Sequence, residues 1–77
     1  MAIEVRLPQF GMTMHEGTIV SWLKHVGDPV TEGEPIVEVE TDKLTMEVPA
    51  PASGVLSRIE AEPGTMIAVH ARIALIE

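Results

Sequence analysis

Apolar residues recur along this chain in short alternating runs, and Gly or Pro breaks every stretch before the ten or so residues that a periodic helical face requires. The pattern predicts strands over residues 3–7, 17–25, 29–30, 35–40, 44–48, 54–60, 66–67 and 72–77. Turn signals separate them: Gly27-Asp28-Pro29, Glu32-Gly33-Glu34, Pro49-Ala50-Pro51 and Pro63-Gly64. Frequent short strands joined by tight turns point to an all-β fold, an antiparallel sandwich or barrel.

Laying residues 17–40 over residues 54–77 matches Gly17 with Gly54, Gly27 with Gly64 and Glu40 with Glu77. Six apolar pairs also coincide: Ile19/Leu56, Trp22/Ile59, Val30/Ile67, Ile36/Ile73, Val37/Ala74 and Val39/Ile76. Composition alone supplies nearly that many, so the weight rests on the glycines, which mark equivalent turns because they tolerate positive φ. The repeat predicts two similar halves packed face to face about a pseudo-twofold axis, with Trp22 in the core.

The segment ETDKLTMEVP, residues 40–49, sets one of the chain's two lysines among acids. Taking Asp42-Lys43 as a two-residue loop pairs Thr41 with Leu44, Glu40 with Thr45, Val39 with Met46, Glu38 with Glu47 and Val37 with Val48. Val37, Val39, Thr41, Leu44, Met46 and Val48 then share an inner face, and Glu38, Glu40, Thr45 and Glu47 an outer one. A slip of one residue would mix glutamates into the core, so this register is expected, with Lys43 at the hairpin tip. It sets two like charges, Glu38 and Glu47, directly opposite each other. The loop lacks the Gly or Asn of a primed turn, which predicts type I geometry or local strain at Asp42-Lys43.

Length and composition narrow the chemistry. With 77 residues and 45% apolar content, the chain is expected to be one domain over residues 1–77, with room for one core and none for a deep catalytic cleft. No apolar run is long enough to span a bilayer and the N-terminus lacks a secretory signal, so a soluble, membrane-free segment is expected. A formal net charge of −7 opposes binding to nucleic acid. Cysteine is absent, so apolar burial must hold the domain together without disulfides or thiolate metal sites. His15, His25 and His70 are widely spaced and no HExxH occurs, so surface histidines are expected and no metal site. A paired-carboxylate hydrolase would need two carboxyls in distinct environments, which so thin a domain does not offer. Lys24, at a strand end, is expected to be a solvated edge charge.

The runs G17-T-I-V-S-W22, V26-G-D-P-V30, E38-V-E-T-D-K-L44, G54-V-L-S-R-I59 and I73-A-L-I76, preceded by L7-P-Q-F-G-M-T-M14, resemble the lipoyl domain of 2-oxo acid dehydrogenase complexes, within the biotinyl/lipoyl-attachment family. The resemblance covers essentially the whole chain. It implies a flattened barrel of two four-stranded antiparallel sheets (a barrel-sandwich hybrid), with the modified lysine on the turn between the fourth and fifth strands. By that match Lys43 is the attachment site of amide-linked lipoic acid, flanked by Asp42 and by Leu44, where many members have alanine. The loop Phe10 to Glu16, through Met12, Met14 and His15, together with Glu40, would help partner enzymes recognise the domain; packing is the simpler role for the two methionines.

The resemblance further implies a carrier that is not itself catalytic, cut from a dihydrolipoamide acyltransferase (or acetoin dehydrogenase-like) chain, cytoplasmic in a bacterium or in the mitochondrial matrix. Its partners would be a lipoate-attaching enzyme, a thiamin-diphosphate-dependent 2-oxo acid decarboxylase that reductively acylates the arm, an acyltransferase core that passes the acyl group to coenzyme A, and a flavin dihydrolipoamide dehydrogenase. The isolated domain would be monomeric. Absence of cysteine suits such an arm, since a nearby thiolate could trap the dithiolane by exchange. Two rivals remain: a biotinyl carrier, whose family flanks its lysine as MKM where this chain reads DKL, and an unmodified structural barrel.

Overall fold

The computed structural model describes residues 2–9, 11–12, 14–41 and 44–77. Eight strands follow in order: β1 (Ile3–Arg6), β2 (Glu16–Trp22), β3 (Pro29–Val30), β4 (Pro35–Glu40), β5 (Thr45–Pro49), β6 (Gly54–Ile59), β7 (Met66–Ala68) and β8 (Arg72–Ile76). They form two antiparallel sheets, ordered β1-β8-β6-β3 and β5-β4-β2-β7. The sheets enclose a core whose fully buried side chains are led by Leu7, Ile19, Ile36, Leu56, Ile73 and Ile76. No helix among the described residues is long and apolar enough to cross a membrane.

The two halves repeat down to individual bonds. In β2·β4, Ile19 faces Val39, Ser21 faces Glu38 and Trp22 faces Val37; in β6·β8, the repeat-equivalent Leu56, Arg58 and Ile59 face Ile76, Leu75 and Ala74. Both ladders carry an irregularity at the same place, between Ile19 and Ser21 and between Leu56 and Arg58. Gly27 N–H donates to the Leu56 carbonyl at 2.7 Å, and Gly64 N–H donates to the Ile19 carbonyl at 2.7 Å. These glycines have φ of 97° and 89°, so each turn needs the left-handed conformation that glycine adopts without a Cβ penalty. A Cβ on Gly17 would lie 2.6 Å from Val39 Cγ1, and one on Gly54 would lie 2.5 Å from the Glu77 carbonyl oxygen, so close strand approach requires glycine at both.

Strand boundaries differ from the sequence pattern where local bonds intervene. β2 ends at Trp22 and does not reach His25. His25 N–H donates to Asp28 Oδ2 at 2.9 Å and Asp28 N–H to the His25 carbonyl at 2.9 Å, a turn stabilised by a side chain that diverts the backbone from the ladder. β5 begins at Thr45, one residue after the predicted start, and takes in Pro49, which faces Pro35. Ile36 and Val37 are both fully buried, against simple alternation, because the register shifts between Pro35 and Val37. Trp22 is half-buried against the core and donates its Nε1–H to the Ala61 carbonyl at 2.7 Å, linking the two halves.

Candidate functional site

The β4–β5 hairpin has the register that its alternation dictates: Val37 faces Val48, Glu38 faces Glu47, Val39 faces Met46 and Glu40 faces Thr45. Val37, Val39 and Val48 are buried on the inner face and anchor the hairpin to the core. At its end, Thr41 N–H donates to the Leu44 carbonyl at 2.7 Å, and the Thr41 hydroxyl bonds the same oxygen at 3.2 Å. The chain between those two closing residues consists of Asp42 and Lys43. Both lie outside the described residues, as does the expected turn type there.

Leu44 departs from expectation. Its position in the alternation is inward, yet it is 62% exposed, Met46 is half-buried and Val48 is buried. The core ends before the hairpin does, so the inner row of β5 runs out from under its cover. Glu40 and Thr45 are exposed on the other face. Glu38 accepts a 3.3 Å bond from the Ser21 hydroxyl, while Glu47, directly opposite, has no salt bridge among the described residues.

The other predicted recognition residues lie on the segment that leads into β2. Its Thr18 faces Glu40, so this segment approaches the hairpin from the β4 side. Met14 is half-buried against the core, and its Cε would lie 3.3 Å from a Cβ on Gly17, as packing predicts. Met12, by contrast, is 96% exposed, so packing does not explain it. Gln9 Nε2 braces this loop through the carbonyls of Met12 and Met14, each at 3.3 Å. His15 is exposed and its carbonyl accepts from Val69 N–H at 2.9 Å.

Lys24 is not the solvated edge charge that its position suggests. Its side chain is only 29% exposed and its Nζ lies 3.2 Å from Glu34 Oε2. Glu34 also accepts from Thr31 N–H at 3.1 Å, and that bond, followed by the lysine contact, holds its carboxyl below the usual glutamate range. His15, His25 and His70 are all exposed, and no group of three or more metal-ligating side chains gathers among the described residues.

Residues 3–76 match the model of the family described as "Biotin-requiring enzyme", whose short name is Biotin_lipoyl. The chain is 46% identical, over 99% of its length, to the dihydrolipoyllysine-residue acetyltransferase component of the pyruvate dehydrogenase complex of Corynebacterium glutamicum. It is 42% identical, over its full length, to the dihydrolipoyllysine-residue succinyltransferase component of the 2-oxoglutarate dehydrogenase complex of Bartonella vinsonii. It spans only 11% and 19% of those two relatives. Among solved structures, the lipoyl domain of the 2-oxoglutarate dehydrogenase complex of Azotobacter vinelandii superposes with a TM-score of 0.77 at 33% identity, covering 97% of this chain and 95% of that one.

Proposed function

The chain belongs to the biotin/lipoyl-attachment family as a lipoyl domain, and from that premise we propose that Lys43 carries lipoate in amide linkage, with Asp42 and Leu44 flanking the attachment point. The observation that carries this reading is the closure of the β4–β5 hairpin, where the 2.7 Å bond between Thr41 and Leu44 leaves only Asp42 and Lys43 to connect the strands. Burial of Val37, Val39 and Val48 gives that end a rigid base, as a tethered reactive group requires. The chain's other lysine is committed to Glu34, which supports Lys43 as the amine available for acylation.

When bound, lipoate supplies a cyclic disulfide that can accept an acyl group together with two electrons. The chain contributes the amine, a hairpin firmly based on Val37, Val39 and Val48, and a sequence without any cysteine that could divert the disulfide by exchange. Tethering gives the arm a high effective concentration at each enzyme that it visits. The domain is thus a carrier, and the chemistry belongs to its partners: a thiamin-diphosphate-dependent decarboxylase, an acyltransferase core, a flavin dihydrolipoamide dehydrogenase and the lipoate-attaching enzyme. Met12, His15 and Glu40, exposed beside or leading toward the hairpin, are offered as recognition residues for those partners. Biotin, named in the family's description, is the alternative group. Intact mass after exposure to lipoate and biotin with their attaching enzymes decides between them. The wild type should gain one lipoyl increment and Lys43→Ala none; a biotinyl increment, or no increment, overturns the reading.

A further inference from the structure

From the burial gradient along the inner row of β5, we infer that the domain carries a berth for its own arm, a shallow apolar platform formed by Leu44 and Met46 with Met14 as its wall. The inference rests on the attachment of lipoate at Lys43. Val48 is 1% exposed, Met46 half-buried and Leu44 62% exposed, so the row that starts as core ends as open surface at the carrier turn. Met46 faces Val39, whose Cγ1 fills the space beside Gly17, and the Met14 Cε reaches the same space. The platform therefore continues the inward-facing row past the end of the packed core, which Met14 touches and Met46 does not. Hydrogen bonds from Thr41 N–H and hydroxyl to the Leu44 carbonyl hold that residue's backbone in place.

The occupant is set by the tether. A lysine side chain spans about 6 Å from Cα to Nζ, and an eight-carbon acyl chain roughly doubles that reach. Residues two apart in extended chain are at most about 7 Å apart, so both Leu44, just before β5, and Met46, within it, lie within reach of an arm attached one residue from Leu44. The methylene chain and dithiolane are apolar, and thioether side chains adapt to irregular apolar partners. A flexible tether this short holds its end at millimolar effective concentration, so contact with a millimolar dissociation constant would leave the arm docked about half the time. The arm would then alternate between a sheltered and an extended state, with the dithiolane partly shielded between visits to partner enzymes.

The test uses methyl-labelled protein, with and without lipoate, each confirmed by intact mass. On lipoylation, the Leu44, Met46 and Met14 methyl signals should shift, and cross-relaxation should connect them with the arm's methylene protons. Met66, 61% exposed on β7 with β4 and β2 between it and β5, should not move. Leu44→Asp should abolish the cross-peaks to Met46 and raise the rate of dithiolane reduction by a water-soluble phosphine about twofold, with an unchanged unfolding midpoint. A confirmed lipoyl increment with unmoved methyls and no cross-peaks overturns the berth and leaves the carrier reading intact. Failure of Lys43 to take lipoate at all removes both.

Discussion

His70 adopts a backbone conformation close to that of its repeat counterpart Gly33, with φ of 73° against 88°. Each N–H makes an equivalent bond, Gly33 to the Ala50 carbonyl at 2.9 Å and His70 to the Leu7 carbonyl at 2.8 Å, so the fold requires the same turn in both halves. A left-handed non-glycine residue costs about 1–2 kcal/mol and glycine's extra chain entropy about 0.5–1 kcal/mol. His70→Gly should therefore stabilise the domain by about 0.5 kcal/mol, and Gly33→Ala should destabilise it by about 1 kcal/mol, both measured by denaturant unfolding. The turn at His70 was hard to read from sequence because only a glycine advertises positive φ. Glu34 offers a second test. Its carboxyl is held below the ordinary 4.5 by Thr31 N–H first and Lys24 second. A depressed acid contributes stability that is complete above the ordinary value and lost as pH falls through the native one. Titration followed by NMR should place Glu34 below the ordinary glutamate value, and Lys24→Met should restore only part of the difference.

The β4–β5 hairpin shows how far alternation reaches and where it stops. Period-two patterning fixed its register because any slip would bury glutamate, and the observed pairs from Val37/Val48 to Glu40/Thr45 follow from that constraint. The same pattern misjudged Leu44, since alternation specifies the side of a strand but not where the opposing sheet ends. It also missed the paired burial of Ile36 and Val37, because a register shift is a property of two strands and leaves no mark in either alone. Lys24 was misread for a similar reason, as its partner Glu34 sits across a turn. The opposed Glu38 and Glu47 were legible, and they yield a prediction for this element. Glu47→Lys should stabilise the hairpin by roughly 0.2–1 kcal/mol, because it replaces a like-charge pair by an opposite one. An unchanged or lowered unfolding midpoint would show that the Ser21 bond to Glu38 already offsets the repulsion.

Across the whole molecule, charge is divided between the two sheets. The outer side of β1, β8 and β6 carries Arg6, Arg72 and Arg58, interleaved with Glu4 and Glu60 in a continuous series of ion pairs. The β5-β4-β2-β7 sheet carries Glu16, Glu38, Glu40 and Glu47 and not one cation among its described residues. An acidic face that includes the carrier hairpin should steer encounters with basic partner surfaces. Reductive acylation of the lipoylated domain at subsaturating concentration should slow as ionic strength rises from low to moderate; a rate indifferent to salt would remove steering from the account. The central claim, that a two-residue connection on a core-anchored hairpin presents the modified lysine, is tested most directly by peptide mapping of the domain after enzymatic lipoylation. The whole increment should fall on Lys43, leaving Lys24 unmodified. An increment on Lys24, or an unmodified Lys43 in folded protein, would contradict it.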